Sequence, residues 1–180
     1  MAEIDPHSYY DDSHPKIVNF DLKINVNFEE ERLFCKVLLN FDREATEIVH
    51  LDSRDLVVKS VSLLDGTPLD FKIHPKDKVL GNLFEIFFNK PSKSVVVQYE
   101  VEKNATALQW LKPEQTKGKM KPFLFTQCQP HHARSLVPLQ DSPSVRVTYT
   151  AEITVPKDLT AVMAAGISES AVEKESGEKT

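Results

Sequence analysis

The stretch Val18-Asn19-Phe20-Asp21-Leu22-Lys23-Ile24-Asn25-Val26-Asn27-Phe28 alternates apolar and polar residues without interruption. Successive side chains of a β-strand point to opposite faces, so this period of two predicts a strand with one buried and one solvated face. After the acidic run 29–31, residues 33–41 repeat the alternation, with apolar residues at every odd position. Together the two segments predict a long antiparallel hairpin.

The same alternation recurs along most of the chain, at residues 57–63, 69–73, 84–88, 95–101 and 145–155. Between the first two of these, Asp65-Gly66 predicts a hairpin turn because both residue types tolerate positive φ. No window combines a helical period with capping residues. Many short strands separated by turn residues predict an all-β fold, either an antiparallel sandwich or a large sheet folded over on itself.

Composition limits the function classes. The chain has 180 residues, 27 acidic against 22 basic, and a net charge of −5, which disfavours nucleic acid as a partner. The first residues lack the basic start and apolar stretch of a secretory signal, and no segment approaches the ~20 apolar residues that cross a bilayer. Cys35 and Cys128 form no C-x-x-C pair. These features predict a cytoplasmic protein that binds neither nucleic acid nor membrane.

The pattern also divides the chain. Residues 1–16 are interpreted as an N-terminal tail, and residues 17–167 as one all-β domain. Residues 168–180 are small and charged, which is typical of a surface loop or of the truncated end of a longer protein.

The residues alone indicate little catalytic chemistry. None of the six histidines lies in an H-E-x-x-H motif, which would place two imidazoles on one helical face. His131 and His132 are adjacent, so on an extended chain they point in opposite directions and are expected to be structural or exposed. We therefore expect no catalytic residue and no metal ligand in this chain.

Two glutamines stand out beside these histidines. Gln127 and Gln129 are two residues apart, so on a strand they would share one face and offer paired donors and acceptors to an ammonium and a nearby carbonyl. The alternative is that they are two solvent-facing amides on a polar strand face.

The segment around them carries a family resemblance. Gln127-Cys128-Gln129, then His132-Ala133-Arg134 and Gln140-Asp141-Ser142-Pro143-Ser144, resembles the signature strand of the aminopeptidase N family of zinc peptidases. The similarity is greatest to the leukotriene-A hydrolase branch and is dense over residues 107–165.

This resemblance implies large twisted antiparallel sheets packed as a saddle-like sandwich, beside a catalytic domain that holds zinc and lies outside these residues. It implies that Gln127 and Gln129 line the site near the free α-amino group of a peptide. Most relatives have glutamate at the second position, and a neutral amide binds an ammonium less strongly than a carboxylate does. Arg134 and Asp141 are expected to form a structural ion pair near the site.

The leading interpretation is therefore the N-terminal substrate-recognition domain of a zinc metallo-aminopeptidase, whose partners are the peptide and its own catalytic domain. Some family members also hydrolyse a fatty-acid epoxide. On this interpretation, zinc belongs to the whole enzyme, and the present chain alone is inactive and binds none. The alternatives are a catalytically inactive scaffold of the same fold and a separate β-sandwich that binds protein or sugar.

Overall fold

A computed structural model of the chain describes residues 5–167, 172 and 177–180. The described residues form eleven β-strands and two short 3-10 helices, at Pro113–Gln115 and Ala133–Ser135. The strands are β1 (Ile17–Asn27), β2 (Arg32–Ala45), β3 (Ile48–Ser53), β4 (Leu56–Ser62), β5 (Asp70–Ile73), β6 (Asn82–Phe87), β7 (Ser92–Val101), β8 (Leu108–Leu111), β9 (Phe123–Thr126), β10 (Thr148–Pro156) and β11 (Glu178–Lys179). The predicted all-β class is confirmed.

Three sheets are built from these strands. The largest has six strands in the order β11-β10-β1-β2-β7-β4, the second has the order β3-β6-β5, and β8 pairs with β9. The predicted β1–β2 hairpin is present, with Leu22 opposite Val37 and Ile24 opposite Cys35. These four side chains are buried because the period-two alternation places them on the same face of the sheet.

One hydrophobic cluster joins the six-stranded and three-stranded sheets. Val37 of β2, Val97 of β7, Leu51 of β3 and Phe84 of β6 all belong to it and are fully buried. The apolar faces of the two sheets therefore cover each other, as the alternation requires.

The pairing of β10 differs from the antiparallel prediction. β10 lies parallel to β1, with Leu22 opposite Ala151, and it begins at Thr148 rather than at residue 145. Parallel neighbours need a long crossover connection, and here the chain between β7 and β10 carries the β8–β9 pair.

The turn at Asp65-Gly66 is also present, but its two arms separate. The Gly66 N–H donates to the carbonyl of Leu63, and the Leu69 N–H donates to the carbonyl of Val61. Beyond these bonds β4 pairs with β7, whereas β5 pairs with β6 in the other sheet. The prediction of a simple hairpin is therefore wrong beyond the turn, because each arm finds its partner in a distant strand.

Both chain ends make contacts with the body of the domain. Ser8 and Tyr10 of the predicted tail are buried, and β11 pairs antiparallel with β10. Residues 1–4, 168–171 and 173–176 lie outside the described residues, so the division at residues 16 and 167 stays a prediction. Within the described part of the chain, no helix is long and apolar enough to cross a membrane.

Candidate functional site

The two glutamines follow the end of β9. Gln127 is the first residue after this strand, and its N–H donates to the carbonyl of Ala107 at 2.9 Å. Gln129 lies in a turn and is joined to Pro130 by a cis peptide bond. The prediction that both glutamines share a strand is therefore wrong: Pro130 lacks an N–H and cannot continue the ladder. Both glutamine side chains are nevertheless exposed.

The turn after Gln129 closes on Cys128. The His132 N–H donates to the Cys128 carbonyl at 2.8 Å, and His132 Nδ1 lies 3.1 Å from Thr106 Oγ1. Burial raises the pKa of the half-buried Cys128 thiol, and the negative charge of Asp141 raises it further. The thiol is therefore protonated at neutral pH and is not a prepared nucleophile.

Ser135 anchors the turn to β8. Its Oγ accepts a hydrogen bond from the Ala107 N–H at 2.9 Å and donates to the His132 carbonyl at 2.8 Å. Because the Ala107 carbonyl accepts the Gln127 N–H, Ala107 is held on both sides. The backbone that presents Gln127 is thus fixed by a network that involves no glutamine side chain.

Arg134 is a second anchor, and its side chain is 0% exposed. Its Nε donates to Asp141 Oδ2 at 3.0 Å, so the expected ion pair is present. Nη1 donates to the carbonyl of Leu80 at 2.5 Å, and Nη2 donates to the carbonyl of His7 at 2.7 Å. One guanidinium therefore connects the turn to the N-terminal segment and to the start of β6.

Asp52 completes this buried network. Its carboxylate accepts hydrogen bonds from the Ser8 hydroxyl at 2.6 Å, the Tyr9 N–H at 2.8 Å and the Asp141 N–H at 2.8 Å. Burial raises the pKa of Asp52, while the hydrogen bond from Ser8 and the charge of Arg134 oppose that rise. Since the Arg134 and Asp52 side chains have no exposed surface, the network can position the turn but cannot touch a substrate.

β9 itself carries an exposed apolar surface. Phe123 is 53% exposed and Phe125 is 44% exposed, with their ring centroids 6.1 Å apart. We call these two side chains the β9 apolar patch. The patch precedes Gln127 by two residues, so apolar surface and polar amides adjoin along one segment.

The structure also contains a cluster of potential metal ligands that the sequence did not predict. Asp11, His14 and His50 each place one potential ligand atom within 4.8 Å of the other two. Burial lowers the pKa of His50, and the charge of neighbouring His14 lowers it further. In the sequence, only Asp11 and His14 are close enough to suggest a shared ligand. His50 lies on β3, and no short spacing connects it to them. The cluster calls into question the expectation that this chain has no metal ligand.

Comparison with known proteins identifies the family. Residues 8–180 match the peptidase M1 N-terminal domain. Leukotriene A-4 hydrolase of Xenopus laevis is 34% identical over 168 residues, which cover 89% of this chain and 27% of the frog protein. Leucine aminopeptidase 2 of Saccharomyces cerevisiae is 35% identical over 149 residues, covering 78% of this chain and 22% of the yeast protein.

A solved structure has the same fold. The structure of yeast LTA4 hydrolase in complex with bestatin matches with a TM-score of 0.79 and 28% identity, covering 99% of this chain and 28% of that chain. The chain belongs to the peptidase M1 N-terminal domain family. Within that family it resembles leukotriene A-4 hydrolase and leucine aminopeptidase 2, which confirms the resemblance inferred from the glutamine segment. It spans about a quarter of the length of these relatives.

Proposed function

We propose that this chain is the substrate-recognising N-terminal domain of a zinc metallo-aminopeptidase, and that Gln127 and Gln129 receive the free amino terminus of a peptide. The observation that carries the proposal is the exposure of both glutamines on a turn with two separate anchors. Ser135 ties the end of the turn to Ala107, and the neighbouring Arg134 ties it to Asp141. A binding group needs such support, because its position must be fixed before the ligand arrives.

The chemistry of the two amides suits this role. Each side-chain carbonyl of Gln127 and Gln129 can accept an N–H of an ammonium group, and each amide NH₂ can donate to a peptide carbonyl. Neither carries a charge, so the ammonium is bound by hydrogen bonds rather than by an ion pair. Binding is consequently weaker than with a carboxylate at either position.

Among the described residues, no three potential metal-ligand atoms come together around the glutamines. Amides are poor zinc ligands, and the Cys128 thiol has a raised pKa, whereas zinc binds the thiolate. The zinc of the proposed enzyme therefore requires ligands away from the glutamine turn, and we propose that the catalytic domain supplies them. By the same argument, we expect the 180-residue chain alone not to hydrolyse peptides.

We propose in addition that the domain contacts the catalytic domain of the same protein, and the β9 apolar patch supports this contact. Two exposed phenylalanines side by side are costly in water, and covering them would remove apolar surface. Packing at Phe123 and Phe125 would bring the adjoining Gln127 to the domain boundary. The proposal includes a cytoplasmic location, which the free cysteines Cys35 and Cys128 support.

Peptide kinetics on the whole protein test the proposal. Gln129→Ala removes a hydrogen bond to a charged group, worth about 1.5–3 kcal/mol, so kcat/KM should fall roughly 10- to 150-fold. Gln129→Glu should keep or increase activity, because a carboxylate binds the ammonium more strongly. Zinc content and melting temperature should not change in either variant.

Gln98→Ala is the matched control, because Gln98 is an exposed glutamine on β7 and should have no effect. Wild-type activity in Gln129→Ala would contradict the recognition role. A whole protein that binds no zinc and releases no amino acids would instead indicate an inactive scaffold of this fold. The same variants assayed on a fatty-acid epoxide would separate peptide recognition from the activity for which the frog relative is named.

A further inference from the structure

The cluster of Asp11, His14 and His50 brings together two segments distant in sequence. Asp11 and His14 lie in the N-terminal segment, and His50 lies on β3. His14 Nε2 is 3.7 Å from Asp11 Oδ2, and the ring centroids of His14 and His50 are 4.0 Å apart. The two rings are in tilted contact, and no described hydrogen bond joins them.

The hydrogen bond at His14 determines which ring nitrogen is free. His14 Nδ1 lies 3.0 Å from the carbonyl oxygen of Ile48. A carbonyl only accepts hydrogen bonds, so Nδ1 carries the proton and the neutral ring keeps its lone pair on Nε2. Nε2 is the nitrogen that faces the Asp11 carboxylate.

His50 is oriented in the same way by a carboxylate. Its Nε2 lies 3.3 Å from Glu85 Oε1, so Nε2 donates and Nδ1 keeps the lone pair. Glu85 is itself fixed, because its other oxygen lies 2.5 Å from His74 Nε2. An imidazole that donates its second N–H to a carbonyl or carboxylate is the usual outer support of a metal-bound histidine.

Only one oxygen of the Asp11 carboxylate accepts a hydrogen bond from its own turn. Its Oδ1 accepts the Ser13 N–H at 2.8 Å, which leaves Oδ2 directed toward His14. Arg43 holds this turn in place, since its Nη2 donates to the carbonyl of His14 at 2.8 Å and to those of the two preceding residues. All three candidate ligands are therefore oriented by partners that do not occupy the free atoms.

We infer that Asp11 Oδ2, His14 Nε2 and His50 Nδ1 form a binding site for a divalent transition metal, best suited to Zn²⁺ with water as the fourth ligand. Two imidazoles and one carboxylate favour Zn²⁺ over Mg²⁺ or Ca²⁺, which prefer oxygen ligands. Ligands about 2.0–2.1 Å from a tetrahedral zinc ion lie about 3.3 Å apart. The 3.7 Å between His14 and Asp11, and the separations of at most 4.8 Å among all three ligand atoms, therefore require an inward shift on binding.

Such a metal would fasten residues 11–14 to β3. The N-terminal segment is already held by Ser8 and Tyr9 at Asp52, and by Arg134 at the His7 carbonyl. His14 at the Ile48 carbonyl and Arg43 hold its later residues. A bound ion would add a cross-link between the segment and the three-stranded sheet. It would stabilise the folded state by an amount that grows with the logarithm of its concentration above the dissociation constant.

Metal titration of the untagged chain tests the site. Zn²⁺ alone should bind with a stoichiometry of one and raise the melting temperature, and Co²⁺ should give the visible absorption of a tetrahedral complex. His14→Gln and His50→Gln should each weaken Zn²⁺ binding at least 100-fold and abolish both signals. Asp11→Asn keeps the turn's hydrogen bonds and should weaken binding about 10- to 100-fold.

His132→Gln is the control for adventitious histidine binding and should bind like wild type, because it lies outside the cluster. Circular dichroism and melting temperature without metal establish that each variant is folded. Equal Zn²⁺ binding in wild type, His14→Gln and Asp11→Asn would overturn the inference. So would a wild-type chain whose melting temperature is the same with Zn²⁺ and with a chelator.

Discussion

Arg134 Nε lies 3.0 Å from Asp141 Oδ2, and the arginine side chain is fully buried whereas the aspartate side chain is 12% exposed. The two residues flank the segment that follows the short helix Ala133–Ser135, and Arg134 also holds the carbonyls of Leu80 and His7. A buried guanidinium has no water to replace a lost partner, so the pair and its carbonyl contacts must be satisfied together. The ion pair therefore determines the path of the chain after the exposed glutamines.

Removal of one partner should be strongly destabilising. Asp141→Ala leaves the buried charge of Arg134 with only the Asp52 carboxylate, 3.7 Å away. We expect a loss of up to about 3–5 kcal/mol in the free energy of unfolding, measured in urea. Lys90→Ala is the control: it breaks the ion pair with Asp65, whose two side chains are about half exposed, and should have almost no effect. Equal losses in the two variants would indicate that Arg134 is not held by this pair.

The sequence predicted the local structure well where burial alternates strictly. In β1 and β2, the apolar positions face one core, so the period alone predicts both strands and their hairpin. It could not predict that β10 returns parallel to β1 or that β5 joins β6. Those pairings depend on which distant strand offers a free edge, and a local period carries no such information.

For the site, sequence reasoning identified residues better than it identified geometry. The resemblance singled out Gln127, Gln129 and the Arg134–Asp141 pair, whereas Pro130 was the available sign that β9 ends before Gln129. Ser135 was not singled out, because nothing in a sequence marks a buried serine as an anchor. The cluster at His50 was missed because only the folded chain brings it to Asp11 and His14.

The β9 apolar patch should be almost neutral for stability. We expect Phe125→Ser to change the free energy of unfolding by less than about 0.5 kcal/mol, but to reduce binding of an apolar dye and self-association measured by light scattering. Phe84→Ala, at a fully buried phenylalanine of β6, should cost about 3–5 kcal/mol. If Phe125→Ser is as destabilising as Phe84→Ala, then Phe125 belongs to the core and not to a docking surface.

The two cysteines should differ in reactivity. Burial raises the pKa of Cys35 to about 12, so its thiolate fraction at pH 8 is on the order of 10⁻⁴. Cys128 is only half buried and should therefore react first with iodoacetamide, although slowly. Peptide mapping by mass spectrometry checks the order, and in denaturant both cysteines should react at similar rates. If Cys35 is labelled before Cys128 in the native chain, the burial of Cys35 is contradicted.

Glu100 should make stability depend on acid pH. It bonds Lys59 at 2.9 Å and Arg32 at 2.8 Å, and the hydrogen bond from Lys59 is the main cause that lowers its pKa. A carboxyl whose pKa is lower in the folded state stabilises the protein fully at pH values above its unfolded-state pKa. That contribution is lost as the pH falls through the folded-state pKa.

Glu100→Gln should therefore be less stable than wild type by about 0.5–1 kcal/mol at pH 7, a small value because its partners are partly exposed. The difference should shrink as the pH is lowered and disappear at an acid pH below the folded-state pKa of Glu100, which lies below its ordinary value. Urea unfolding at both pH values measures it. Glu47→Gln, at an exposed glutamate with no ion pair among the described residues, is the control. A difference that persists at low pH would mean that charge is not the cause.

Gly81 should be intolerant of any side chain for two separable reasons. Its φ is +84°, which L-residues adopt at a cost of about 1–2 kcal/mol, and a Cβ built there would lie 2.5 Å from the carbonyl oxygen of Ser53 in β3. Gly118 has the same φ of +84°, but nothing lies within 4 Å of the equivalent Cβ. The two glycines therefore share the backbone cost and differ in the steric one.

We expect Gly118→Ala to lower the free energy of unfolding by about 1 kcal/mol, and Gly81→Ala to lower it by at least about 1 kcal/mol more. The extra loss arises because the obstructing atom is backbone, so β3 or the turn before β6 must move. That turn carries the Leu80 carbonyl that accepts from Arg134, so movement there also loosens the anchor of the glutamine turn. Urea unfolding of both variants measures the steric contribution as the difference between their losses. Equal losses would mean that β3 moves at Ser53 without a cost in free energy.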